Sequence, residues 1–152
     1  MNVSFFTICF FVLIGFTSCG KHMNQTNLGF KEKESFLLNN NLDSIKENWN
    51  KLLNEKMINS KLSKFEIKKE VDIVNNKTYY CLIAKSDNDS VKGATLLYKR
   101  NGKFYINNKE GIIIFCYGCK DAYPTFEFDK WGWSCESKSL NTDCKKISII
   151  KF

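Results

Sequence analysis

The chain has a single histidine, and this scarcity removes whole classes of enzyme from consideration. His22 lies three residues after Cys19 in a polar stretch, where no packed element would hold it against a nucleophile and an orienting acid. Hydrolases that use Ser-His-Asp or Cys-His arrangements are therefore not expected. Glycine-rich phosphate loops of the Walker and dinucleotide types are also missing, so no nucleotide cofactor is predicted.

Arginine is equally scarce, although the chain is basic. The formal net charge is +7, and Arg100 is the only arginine among the basic residues. The planar arginine fork is favoured for recognition of phosphates and bases, whereas lysine acts as a point charge. The charge therefore indicates solubility, with a loose attraction to anionic lipid or glycan as the alternative. Nucleic acid is not expected as a partner of a chain whose N-terminus predicts export.

Long hydrophobic runs are missing too, apart from one short run at the N-terminus. No charge lies in the first eighteen residues, and residues 5–16 are almost entirely apolar. Such a run is too short for a helix that crosses about 30 Å of hydrocarbon, which takes about 20 residues. Its lack of an amphipathic period disfavours a buried core helix. The segment therefore predicts an export signal, with an uncleaved anchor and a signal without lipid as alternatives.

The apolar run closes on Phe16-Thr17-Ser18-Cys19-Gly20. Small residues directly before a cysteine, at the end of such a run, resemble the lipobox of bacterial lipoproteins. The resemblance implies that the signal peptide comprises residues 1–18 and that Cys19 becomes the lipidated first residue of the mature chain. It also implies a lipid bilayer as partner and a place in the cell envelope, with the outer membrane favoured and the domain facing the periplasm or the surface. Two or three acyl chains, at about 0.8 kcal/mol for each buried methylene, would make release negligible.

Beyond the signal, the sequence predicts a flexible tether over residues 19–41 and one domain over residues 42–152. The tether prediction depends on a polar, asparagine-rich composition, and docking of Phe36-Leu37-Leu38 on the domain stays open as an alternative for its end. The domain opens with a helix, because Ser44 and Glu47 form a capping-box pattern. One face is then marked at helical spacing by Ile45, Trp49, Leu52, Leu53 and Lys56/Met57, a stripe more typical of core packing than of a ligand site.

The remainder of the domain reads as strands. Residues 65–73 alternate between apolar and polar, which is typical of a half-buried strand. Asn101-Gly102 is a strong hairpin signal between two further strands. Short connections between successive strands favour antiparallel pairing. We therefore predict an α+β fold, in which one N-terminal amphipathic helix packs on a twisted, meander-like antiparallel sheet.

Five cysteines remain after removal of the signal and lipidation of Cys19, and export favours their oxidation. We favour the pairs Cys116–Cys119 and Cys135–Cys144, which would staple the C-terminal third, although four cysteines also allow two crossed pairings. Cys81 is predicted to be a buried thiol that behaves as a small hydrophobe.

Two sharper interpretations of these cysteines stay open. Cys116-Tyr117-Gly118-Cys119 resembles the motif of thioredoxin-like redox proteins, which implies thiol–disulfide exchange at Cys116 and Cys119. The residues that follow do not begin a long helix, as that fold would require. A zinc site would need a second Cys-x2-Cys or histidine pair, which the sequence does not contain, so no metal is predicted.

Aromatic residues are dense in the C-terminal third and supply the candidate binding surface. It comprises Tyr117, Tyr123, Trp131 and Trp133, residue types from which recognition surfaces are often built. Glu127 and Asp129 lie among them and could serve sugar cleavage, but a turn at Asp129-Lys130 would separate the pair.

The sequence thus favours a non-catalytic, cofactor-free module that is anchored in the envelope and binds an envelope protein or a glycan. The alternatives are a redox protein, an immunity or inhibitor lipoprotein, and a carbohydrate-binding module.

Overall fold

The computed structural model describes residues 25–32, 35–38, 42–107, 111–119, 121–137 and 144–150. These ranges contain one helix, α1 (Leu42–Glu55), and ten strands that pair only in antiparallel fashion. The strands are β1 (Gln25–Glu32), β2 (Ser35–Leu38), β3 (Leu62–Asp72), β4 (Lys77–Ser86), β5 (Val91–Arg100), β6 (Lys103–Asn107), β7 (Ile112–Tyr117), β8 (Tyr123–Glu127), β9 (Gly132–Glu136) and β10 (Lys145–Ile150). The predicted α+β fold with one helix on an antiparallel sheet is confirmed. Within the described ranges, no helix is both long and apolar enough to cross a membrane.

Helix α1 packs on the sheet through most of the face that its sequence predicts. The predicted extension of that face to Lys56/Met57 is wrong, because the helix ends at Glu55 and Met57 is 94% exposed. Ile45, Trp49 and Leu53 are buried and recur every four residues, as one stripe of an amphipathic helix. The amide of Asn50 fixes the helix to the start of β3, because its Oδ1 accepts from the backbone N–H of Leu62 at 2.7 Å and its Nδ2 donates to the Leu62 carbonyl at 3.1 Å. The helix and β3 therefore hold a fixed register.

The main sheet forks along β5. Residues 91–94 of β5 pair with β7, whereas residues 98–100 pair with β6, and β4 lies along the other side of β5. The sheet continues outward to β3 beyond β4, to β10 beyond β7, and to β1 and β2 beyond β6. Strands β3 to β6 form the predicted meander, and β8 and β9 form a separate hairpin.

Two apolar cores cover the two faces of the sheet, because neighbouring side chains of a strand point to opposite faces. In β4, Leu82 and Ala84 belong to the core under α1, whereas Cys81 and Ile83 belong to the core under the β8–β9 hairpin. The domain therefore has three layers: helix, sheet and hairpin. Gly93 permits close packing under the helix, since a Cβ atom there would lie 3.0 Å from the Trp49 ring.

The flexible tether predicted over residues 19–41 is wrong for Gln25–Glu32, which is a strand. Ser35–Leu38 is also a strand, which agrees with the alternative that Phe36-Leu37-Leu38 docks on the domain. β1 pairs with β6 from Gln25↔Asn107 to Phe30↔Lys103, and Leu28 is buried in the helix-side core. The polar composition concealed these strands, because pairing along the otherwise open edge of β6 uses backbone groups that every residue has. The predicted domain boundary at residue 42 is too late, and residues 1–24, with Cys19, lie outside the described ranges.

The C-terminal region contains two disulfides, as predicted, but the favoured pairing of their cysteines, Cys116–Cys119 and Cys135–Cys144, is wrong. The bonds are Cys116–Cys135 and Cys119–Cys144, with Cα–Cα distances of 5.7 and 5.2 Å. Cys116 points to the hairpin face of β7, where β9 covers it. Its partner is therefore Cys135 on β9 and not Cys119, which follows β7 in the chain. Cys81 is a free, buried thiol as predicted.

Candidate functional site

The four aromatic residues of the predicted binding surface do not share one surface. Trp133 is buried in the hairpin-side core, and Tyr117 packs against the helix-side core on the opposite face. Tyr123 is half-buried, and its hydroxyl donates to Glu70 Oε1 at 2.8 Å. Burial and this bond raise the pKa of Tyr123. Trp131 alone is widely exposed, at 64% of its surface.

Side chains of β3 and β4 hold the hairpin that carries Trp131. The Tyr79 hydroxyl accepts from the backbone N–H of Phe126 at 3.4 Å, and Asp72 Oδ2 accepts from the N–H of Phe128 at 3.3 Å. Burial raises the pKa of Tyr79 to about 12, so this phenol stays protonated and neutral. β8 therefore lies over the hairpin-side core of the sheet, and the bond from Asp72 to Phe128 places the β8–β9 turn at the same end of the sheet as the β3–β4 turn.

Trp131 occupies an unusual place in the β8–β9 turn. Its backbone has φ 45°, a left-handed conformation that bulky residues rarely adopt. Its ring contacts Phe126 and Phe128 edge-on, at centroid distances of 5.5 and 6.0 Å, so the exposed indole is held in place. Backbone strain that is retained under an exposed aromatic side chain is typical of functional positions.

Two aliphatic residues at the β3–β4 turn are even more exposed. Ile73 and Val74 expose 93% and 82% of their surfaces, whereas the sequence pattern predicts Ile73 in a half-buried strand. The turn is fixed by Asp72, whose carboxylate accepts from the N–H of Val74 at 2.9 Å and from the Asn75 side chain at 2.8 Å. The Asn75 side-chain bond is the main cause that lowers the pKa of Asp72. Because Asp72 also binds Phe128, one carboxylate joins the two turns.

The β5–β6 turn lies at the same end, since successive turns of an antiparallel meander alternate ends. It brings Tyr98, whose side chain is 51% exposed, beside Trp131. We call this end the turn pole and define it by its exposed apolar side chains and the exposed basic side chains around them. The apolar members are Ile73, Val74, Tyr98 and Trp131, and the basic members are Lys77, Lys99, Arg100, Lys103 and Lys130.

The turn pole is a surface rather than a pocket. The cavity between Tyr98, Trp131 and Trp133 holds only about 50 Å³. The groove between the β3–β4 turn and the hairpin holds about 310 Å³ and is lined by Ile73 and Lys130 among others. The cavity is far below, and the groove only at the bottom of, the range of about 300–1,000 Å³ typical of small-molecule sites.

The acidic side chain that the sequence singled out for sugar cleavage, Glu127, is engaged in a structural contact. Glu127 forms an ion pair with Lys130 across the turn, and this contact lowers the pKa of Glu127 and raises that of Lys130. A glycosidase acid needs a raised pKa, and the turn separates Glu127 from Asp129. The described ranges contain no cluster of three His, Cys, Asp or Glu side chains that could hold a metal.

The cysteines show the same structural use. Cys116 and Cys119 are each bonded to a different distant cysteine, so the two do not form the dithiol that the redox interpretation requires. Burial raises the pKa of Cys81 to about 12, which keeps its thiol protonated and unreactive.

The sequence predicted one residue of the turn pole, Trp131, and missed the others. Ile73 and Val74 lie directly before Asn75-Asn76, a turn signal, and this neighbourhood was the available clue that they sit at a tip. Comparison of the chain with protein-family models, with curated proteins and with solved structures found no match.

Proposed function

We propose that the chain is a membrane-anchored envelope lipoprotein whose folded domain is a non-catalytic binding module that uses the turn pole. The observation that carries the binding role is Trp131, an exposed indole held by two phenylalanine rings in a strained backbone. The anchor is supported by the apolar run that ends in Thr17-Ser18-Cys19.

The energetics of the turn pole favour an occupant. Covering Ile73 and Val74 would contribute about 1.5–3 kcal/mol for each side chain. The isolated domain leaves this contribution unused, because both side chains lie almost wholly in solvent. A partner that covers both residues together with Trp131 would gain from a surface that is already rigid, and so would lose little entropy on binding.

The anchor is tested by metabolic labelling with an alkyne analogue of palmitate in producing cells. We expect the label on the protein and its loss in Cys19→Ala, with the protein otherwise still exported. Label that persists in Cys19→Ala, or a full-length chain that stays in the cytoplasm with free thiols, would contradict the anchor.

The binding role is tested by replacing Trp131 with a benzophenone amino acid and irradiating intact cells. Met57 offers a matched control, because it is 94% exposed and also has a left-handed backbone, with φ 57°, but follows α1 at the far end of β3. We expect specific adducts from position 131 and none from position 57. Equal adducts from both positions, or none from either, would refute a binding role for the turn pole.

The chemistry of the adduct separates the other interpretations. A protein adduct would favour an immunity or inhibitor lipoprotein, and a glycan adduct would favour a carbohydrate-binding module. The redox alternative draws no support from the disulfide pairing, since Cys116 and Cys119 are in separate bonds.

A further inference from the structure

Building on the binding role proposed above, we infer that the occupant of the turn pole is an anionic bilayer surface, into which Ile73, Val74 and Trp131 insert. Three kinds of side chain at this end match those that proteins place at a membrane interface. Aliphatic side chains form the tip, an indole flanks them, and basic side chains surround both. Tryptophan favours the interfacial region, and lysine favours anionic headgroups.

The charges distinguish a bilayer from a protein partner. Lysine is depleted at protein interfaces, whereas four of the five basic residues around this tip are lysines. Among the nearby carboxylates, Glu127 offsets Lys130 in an ion pair, Asp72 is held by hydrogen bonds inside the tip, and Asp129 and Glu136 are exposed. The positive charge available to a lipid headgroup is therefore that of Lys77, Lys99, Arg100 and Lys103. Lys77 lies over the ring of Phe128, with Nζ 5.5 Å from the centroid, and so sits directly beside the tip.

The two turns form a single rigid tip. Asp72 binds the β3–β4 turn and the N–H of Phe128 at once, so Ile73 and Trp131 cannot separate without breaking these bonds. A rigid tip inserts without the loss of conformational entropy that ordering a flexible loop would require.

The proposed anchor can reach the same membrane. Cys19 precedes Gln25 by six residues, a distance that a chain spans over at most about 20 Å. From Gln25, β1 runs toward the turn pole, and Phe30 is already paired with Lys103. That stretch of strand covers about 17 Å, so lipid and tip can contact one bilayer together.

The experiment uses the protein purified from producing cells and reconstituted into vesicles of phosphatidylglycerol and brominated phosphatidylcholine. Bromine quenches an indole only within the acyl region, and the other two tryptophans, Trp49 and Trp133, are buried in the protein. We expect quenching that disappears in Trp131→Phe. A Met57→Trp substitution in that background restores an exposed indole at the far end of β3, and we expect it to stay unquenched.

Two sets of variants test the forces separately. The quenching of Trp131 gives the ratio of molecules whose tip is inserted in the bilayer to molecules whose tip is not. Ile73→Ser with Val74→Ser should lower this ratio on the order of tenfold for each side chain, and Met57→Ser should leave it unchanged. Lys77→Gln and Lys103→Gln should each lower it on the order of fivefold in anionic vesicles, whereas Lys64→Gln at the far end of β3 should not. Near-ultraviolet circular dichroism verifies that each variant keeps its fold.

The outcomes separate this inference from the anchor. Protein that carries acyl label and floats with vesicles while Trp131 stays unquenched overturns bilayer docking and leaves the anchor intact. Protein without acyl label that still shows quenching of Trp131 supports docking and refutes the anchor. Quenching that is equal in neutral and anionic vesicles overturns the role of the basic side chains.

Discussion

The disulfide that holds the β8–β9 hairpin allows a prediction with a defined magnitude. Among the described strands, the hairpin makes no pairing with the main sheet, and an isolated two-stranded hairpin is marginally stable. Its attachment depends on apolar contacts, a few hydrogen bonds and the Cys116–Cys135 bond. We therefore expect the paired change Cys116→Ser and Cys135→Ser to destabilise the domain.

The magnitude follows from the length of chain that the bond closes. Its two cysteines are 19 residues apart, and the loop-entropy relation gives about 3 kcal/mol for a loop of this size. The second bond, Cys119–Cys144, spans 25 residues and should contribute about 3.5 kcal/mol by the same relation. Guanidinium unfolding followed by circular dichroism measures both losses, and the pair Cys119→Ser with Cys144→Ser serves as the matched variant.

Peptide mapping without reduction tests the pairing itself. Trypsin cuts after Lys109, Lys120, Lys130, Lys138 and Lys145 and so separates every cysteine of the two bonds except Cys116 and Cys119. We expect peptides 110–120, 131–138 and 139–145 to stay joined in the parent protein. In the Cys116→Ser and Cys135→Ser variant, 110–120 should remain joined to 139–145 alone.

One result would refute the reasoning. Peptide 110–120 found by itself, with an internal bond, would show that Cys116 pairs with Cys119 and that the hairpin is attached by other means. A loss of stability well below 1 kcal/mol in the Cys116→Ser and Cys135→Ser variant would equally show that the bond does not hold the hairpin.

Three further perturbations test other parts of the domain. Gly93→Ala should lower the free energy of unfolding by about 1–3 kcal/mol, because the new Cβ atom would lie 2.9 Å from the Phe115 ring. Chemical unfolding measures this loss, and an unchanged midpoint would contradict the close packing of Gly93 against that ring. The pKa of Asp72 is held below its ordinary value of 3.8, so its stabilising contribution is present above that pH and is lost as the pH falls below it. Near-ultraviolet circular dichroism of the parent protein should show this acid transition, and Asp72→Asn should lack it. Trp131→Asn should change the free energy of unfolding by less than about 1 kcal/mol, because asparagine tolerates the left-handed backbone while the lost ring contacts offset that gain; a loss of several kcal/mol would make Trp131 a core residue.

Local periodicity explains why part of the fold could be predicted from the sequence. Ile45, Trp49 and Leu53 repeat at helical spacing, and these three residues are the buried stripe of the helix in the structure. The pattern and the structure agree here because the spacing is a property of the helix itself. The Asn101-Gly102 turn is specified by its own residues, which both have positive φ.

The disulfide pairing and the exposed turns could not be predicted in the same way. They depend on which distant parts of the chain pack together, and a local sequence pattern does not show this. Cys116 and Cys119 are only three positions apart in sequence, but their partners were decided by β9 packing over β7 and by the position of Cys144 directly before β10. Ile73 continues the alternation of β3 in sequence but lies beyond the last paired residue, Asp72, and is therefore exposed. The turn pole could not be predicted because its turns come from three separated segments.

Because the two disulfides are interleaved along the chain, they keep the protein covalently linked after proteolytic cleavage. Cys119 lies between Cys116 and Cys135, and Cys135 lies between Cys119 and Cys144. A single cut of the backbone anywhere from residue 117 to residue 143 therefore leaves both pieces covalently linked. Exposed turns are where nicking concentrates, and the turn that presents Trp131 falls inside this span. A nicked molecule would keep its hairpin attached, whereas the pairing of near neighbours would have let one cut between residues 119 and 135 sever the chain.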